Sequence, residues 1–147
     1  MSNRKKELLD AEEASWRELH ARLEKLSDDD WLTPGVNGDW NVKDIMVHVA
    51  AWHAVTTDRF EILRTMGTLP EYPPVDEFNR DQYEKNKDLS LHDVRVMSGA
   101  ARHRFREELA QLPADLGENL VRICESNAHG HYDEHIEQLD VFLGSKA

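Results

Sequence analysis

Cysteine is almost missing: Cys124 is the only one among 147 residues. No disulfide can close within the chain, and a reducing compartment is expected. Long apolar runs are lacking too; the uninterrupted ones are a few residues long, against the roughly 20 needed to cross a bilayer. Positive charge is in deficit, with 18 Lys and Arg against 29 Asp and Glu and a formal net charge of −11. Phosphate binding needs a basic face, so neither nucleic acid nor an anionic membrane is expected as a main partner. The opening Met-Ser-Asn-Arg-Lys-Lys leads into Glu7, Asp10, Glu12 and Glu13 instead of an apolar stretch. No secretory signal is expected, and the default location is cytoplasmic. No internal repeat or low-complexity stretch is present.

What remains is an ordinary globular composition, 39% apolar and 32% charged. The length suits one domain over residues 1–147, large enough to bury a core without staples. Apolar periodicity predicts four long helices. The first covers residues 3–26, with Leu9, Trp16, Leu19, Leu23 and Leu26 on one stripe. Ser27-Asp28-Asp29-Asp30 is read as its end, and Pro34-Gly35 and Asn37-Gly38 as a turn-rich loop. The second starts at Asn41, which suits an N-cap, with Asp44 completing a capping box and Trp40 and Ile45 at the staple positions. Ile45, His48, Val49, Trp52 and Val55 share its face, and it ends near Met66-Gly67. Ser90 and Asp93 repeat the device for a third helix, whose stripe is Val94, Met97, Ala101, Phe105, Leu109 and Leu112 before Pro113. A fourth is expected over residues 118–143, with Val121, Cys124, Ala128, His131, His135, Gln138 or Leu139, and Phe142 facing the core. Gly130 inside it costs about 1 kcal/mol relative to Ala, so something must favour a small residue there, such as close helix approach.

Four such helices predict an all-α four-helix bundle. Residues 67–89, with Pro70, Pro73 and Pro74, are far longer than an antiparallel turn needs. They are read as a crossover along the bundle, about 35 Å at 1.5 Å per helical residue. Extended chain of that length reaches about 75 Å, so the span is easy. Helices two and three are then parallel, in up-down-down-up order.

Of eight histidines, His20, His53, His92, His103 and His129 fall off the stripes and read as solvated or partly exposed imidazoles. His48, His131 and His135 lie on core-facing stripes. His131 and His135 are spaced i, i+4, the spacing by which one helix face offers two nitrogens to one divalent ion. His48 lies about 10 Å along the second helix, and His135 about 12 Å from the end of the fourth. Antiparallel, these helices bring His48 level with the pair; parallel, they leave it offset by about 15 Å. Crossover length and histidine levels therefore select the same topology. Three imidazoles leave a coordination position open, as in catalytic centres, and suit Zn²⁺ or Ni²⁺. Such a metal acts as a Lewis acid or lowers the pKa of a water or thiol. Asp133 and Glu134 flank the ligands, with Glu134 the candidate catalytic group. The string His131 to His135 also fits H-x-x-E-H, but too little chain follows it to supply the further carboxylate ligand of those proteases.

The run Trp40-Asn41-Val42-Lys43-Asp44-Ile45-Met46-Val47-His48-Val49-Ala50-Ala51-Trp52 resembles the W-s-v-k-D-h-h-x-H-h-x-x-W signature of the DinB/YfiT-like superfamily. Asn127, His131-Tyr132 and His135 resemble its second element, while Phe78-Asn79 and residues 86–116 are similar to the ClbS/DfsB branch. The resemblance implies an up-down-down-up bundle, often a homodimer, with a divalent ion on His48, His131 and His135. It also implies transferases and isomerases that use a low-molecular-weight thiol cosubstrate, or a hydrolase of strained rings. The expected function is metal-dependent activation of a thiol or water against a small electrophilic substrate. Asp76, Asn79, Tyr83 and Asn127 are candidate substrate-binding residues. The alternatives are a ClbS-like metal-independent hydrolase and a non-catalytic small-molecule binding protein.

Overall fold

The computed structural model describes residues 3–114 and 116–146, and every regular element among them is an α-helix. They are α1 (Arg4–Leu23), α2 (Asp28–Trp31), α3 (Val42–Met66), α4 (Val75–Asn86), α5 (Leu91–Gln111), α6 (Glu118–Asn127) and α7 (His129–Ser145). The cap residues act as their chemistry dictates. Asn41 accepts from the Asp44 amide while the Asp44 carboxylate accepts from the Asn41 amide, so two orphan donors of α3 are satisfied reciprocally. Gly67, at φ 77, ends α3 in the left-handed conformation that a glycine adopts without strain. At α5, Ser90 accepts from the Asp93 amide and forms half of the expected box.

α3 packs most extensively on α5, and α1 on α7. Lys43 Nζ, at the start of α3, donates to the carbonyls of Lys87 and Leu89 just before α5, at 2.7 and 2.9 Å. Arg64, near the end of α3, meets Glu108 near the end of α5 at 2.6 Å. Ser15 donates to Asp133 at 2.6 Å and Arg22 to Asp140 at 3.0 Å, tying α1 to α7. Between these pairs lies one apolar cluster that includes Leu19, Val42, Val49, Phe60, Val94, Phe105, Leu109 and Leu139. Phe60 and Phe105 are wholly buried. Each such side chain contributes about 1.5–3 kcal/mol over its exposed state.

Five expectations need correction. Ser27 does not simply end the first helix: it caps α2, and its capping box with Asp30 turns the acidic run into a helical start. Residues 67–89 are not a helix-free connection, because Val75–Asn86 folds as α4, with Pro74 at its N-cap and Asp76 and Glu77 in its first turn. The fourth helix is interrupted at Ala128 (φ −124°, ψ −108°), giving α6 and α7. Gly130 stands just past that interruption, close against the end of α6: a Cβ there would lie 2.1 Å from the Glu125 carbonyl oxygen. The small residue is required by the preceding helix's own backbone, not by a neighbouring helix. Finally, His53 is wholly buried, since α3 is covered on more faces than its stripe suggests.

Candidate metal centre

α3 supplies His48; α7 supplies His131 and His135. The i, i+4 spacing puts the two α7 imidazoles on one face, with ring centroids 4.6 Å apart. Across the helix interface, His48 Nε2 lies 2.9 Å from His131 Nε2, which in turn lies 2.9 Å from His135 Nε2. One ligand atom from each lies within 4.8 Å of the others. The expected meeting of the three histidines is present.

Hydrogen bonding alone does not account for this arrangement. An imidazole nitrogen has one in-plane position, holding either a proton or a lone pair. His131 Nε2 therefore cannot make linear hydrogen bonds to both neighbours. A cation that accepts all three lone pairs resolves the conflict, and three neutral imidazoles are an established ligand set for zinc. Protonation is disfavoured as well. Burial, followed by the neighbouring His135, lowers His48 to about 4, with the Asn79 side chain opposing. Burial lowers His131 to about 2, and His135 and His48 add to the shift. Burial also lowers His135, against the pull of Gln138 and Glu134. His135 Nδ1–H donates to Gln138 Oε1 at 2.7 Å, leaving Nε2 with its lone pair toward the cluster. That is the outer contact by which metal-ligating histidines are oriented.

A second polar cluster backs the first. The Tyr132 hydroxyl, buried between the ligand residues, donates to Glu12 at 2.8 Å and meets His53 Nε2. Glu12 is 1% exposed, accepts from Arg102 through both oxygens at 2.9 Å, and also holds Arg106. Burial raises its pKa, but Arg102, Tyr132 and Arg106 outweigh that and leave it lowered. The network anchors α7 to α1 and α5 one residue from His131.

A cavity of about 440 Å³ opens beside the histidines. His48 and His131 line one part, with Glu134, Asn79 and Asn127. Trp52 donates its indole N–H to Asn79 Oδ1 at 2.7 Å, holding that amide on the wall. Of the other candidates, Tyr83 is half-buried and stacks against Trp40 at 6.1 Å outside the cavity lining, and Asp76 is exposed on α4. Sequence reasoning missed Trp52 as a wall residue, along with Arg59, Tyr72, Arg122, Ile123 and Ser126. Helical spacing was the available signal: Arg59 follows His48 by eleven residues, three full turns on the same face.

Neither a curated protein nor a solved structure matches the chain. The sequence model of the DinB superfamily does match, over residues 12–138, a span that holds His48, His131, His135, Glu12, Tyr132 and the whole of the cavity-lining α3 and α6. That match covers most of the chain, and this protein belongs to the DinB superfamily.

Proposed function

We propose that the protein is a metal-dependent enzyme that activates a low-molecular-weight thiol or water against a small electrophilic substrate, as a thiol transferase, an isomerase or a hydrolase. The observation that carries this reading is the convergence of three buried or half-buried imidazoles, one ligand atom of each within 4.8 Å of the others, beside a cavity. His48, His131 and His135 hold the cation, Zn²⁺ or Ni²⁺. When bound, it supplies Lewis acidity and lowers the pKa of a thiol or water in the cavity. Gln138 keeps the His135 lone pair directed inward. Glu134, on the cavity wall, is placed to take the released proton. Asn79 and Asn127 present amides that orient the substrate. Burial pushes the Cys124 thiol up to about 12, so the chain's own cysteine is a poor nucleophile and a thiol must come from solution. The cavity's size suits a small molecule.

The same reading takes the chain as one domain, a four-helix bundle of up-down-down-up order in which α6 and α7 together form the fourth helix. The contacts at both ends of α3 and α5 and the pairings of α1 with α7 support that order.

The test is metal content. Protein purified without a histidine tag is expected to hold about one divalent ion per chain, and the His48→Ala variant far less. Turnover of a model electrophile only when a small thiol is supplied selects transferase over hydrolase. A wild type that takes up neither Zn²⁺ nor Ni²⁺ on addition refutes the proposal.

A further inference from the structure

Arg59 is the one buried arginine among the described residues, at 8% exposure. Its Nε–H donates to the Pro70 carbonyl at 2.7 Å, and its guanidinium carbon lies 5.3 Å from the centre of the Tyr72 ring. Among the described residues no carboxylate pairs with it, although the chain has 29 acidic residues. The arginines that come next in burial are paired: Arg102 and Arg106 with Glu12, Arg22 with Asp140, Arg64 with Glu108. A buried cation left without an opposite charge is costly, and the structure pairs arginines elsewhere. Here the guanidinium lines the cavity that ends at His48 and His131.

We propose that Arg59 is the carboxylate-binding residue of this cavity and that the ligand is an elongated molecule with a carboxylate at one end and an apolar middle. Nε is engaged by Pro70, so the two Nη groups form the fork that meets both carboxylate oxygens. Trp52 and Tyr72, with ring centres 6.3 Å apart, form the apolar wall between the fork and the histidines. Eleven residues of helix separate Arg59 from His48, about 16 Å at 1.5 Å per residue. Both side chains lean toward the N-terminus, and only the greater length of the arginine brings its guanidinium closer to the imidazole than that rise. That the far end of the ligand is the reacting end rests on the metal-centre reading above; the carboxylate site itself does not.

The experiment uses full-length protein stripped of metal on an immobilised chelator. It is titrated with 4-phenylbutyrate, 4-phenylbutyramide and inorganic phosphate, following the Trp52 indole N–H and the Arg59 Nε–H in ¹H–¹⁵N spectra. The acid is expected to shift both signals and the amide to bind at least about tenfold more weakly. Phosphate is expected not to displace the acid at equal concentration. Arg59→Gln is expected to weaken the acid by at least about tenfold, and Arg59→Lys, which keeps the charge without the fork, by less. Equal binding of acid and amide, wild-type affinity in Arg59→Gln, or displacement by phosphate each overturns the proposal. If Arg59→Gln does not fold, the acid–amide comparison and Arg59→Lys decide. Carboxylate binding without zinc uptake removes the metal centre and keeps the Arg59 site; zinc uptake without carboxylate binding does the reverse.

Discussion

Glu12 offers the sharpest test of how the histidine pair is held. Glu12→Gln removes one buried charge while leaving its partners in place. In the native chain Glu12 binds Arg102 at 2.9 Å through both oxygens, Arg106 and the Tyr132 hydroxyl. Breaking one side of a buried ion pair costs about 3–5 kcal/mol, because the remaining charge stays desolvated. Arg102 retains Glu13, at 2.5 Å on a less buried side chain, which places the expected loss near the lower end, about 3 kcal/mol. For a chain of this size that corresponds to a fall in Tm of about 6–12 °C. Urea unfolding at pH 7 reads it as a lower midpoint with an unchanged slope. The pH dependence follows from the sign of the shift. Glu12 is lowered from its ordinary 4.5, so its contribution is fully present above that value and is lost as pH falls through the folded-state pKa. The gap between wild type and variant is therefore expected to stay constant from pH 7 to 5 and to close only in more acid solution. A loss below about 1 kcal/mol at pH 7, or a gap that closes near neutrality, refutes the assignment of Glu12 as a charged, paired anchor.

Two further outcomes follow from named contacts. Gln138→Ala leaves His135 Nδ1 without its acceptor and is expected to weaken zinc binding by about 10- to 100-fold, measured by competition with a chromophoric chelator. Gly130→Ala places a methyl group 2.1 Å from the Glu125 carbonyl oxygen. It is expected to cost about 1–3 kcal/mol in urea unfolding and to perturb amide signals at the α6–α7 junction.

Much of the centre could be read from spacing because a helix converts residue number into distance. The box at Asn41 and Asp44 set the start of α3, and counting turns from it brought His48 level with His135. Other features left no periodic trace. α4 has no fully buried residue, so Val75–Asn86 carries no core stripe, and its flanking prolines read as loop. His53 and Glu12 looked like ordinary polar positions because their partners are distant in sequence: Tyr132 for both, and Arg102 for Glu12. A charge on a charged helix gives no sign from its own neighbourhood that it is buried. The break at Ala128 was foreshadowed only by a glycine whose cost needed a reason, and the reason proved to be the chain's own carbonyl.

The interruption at Ala128 divides labour along what would otherwise be one rod. The segment before it carries Arg122, Ile123 and Ser126, which shape the mouth of the cavity; the segment after it carries the two imidazoles. Variation in the first segment can redraw what enters without disturbing the ligand geometry held by the second. If the proposed centre holds a metal, an engineer would alter the exposed face of α6 to change the guest and leave the α7 imidazoles alone.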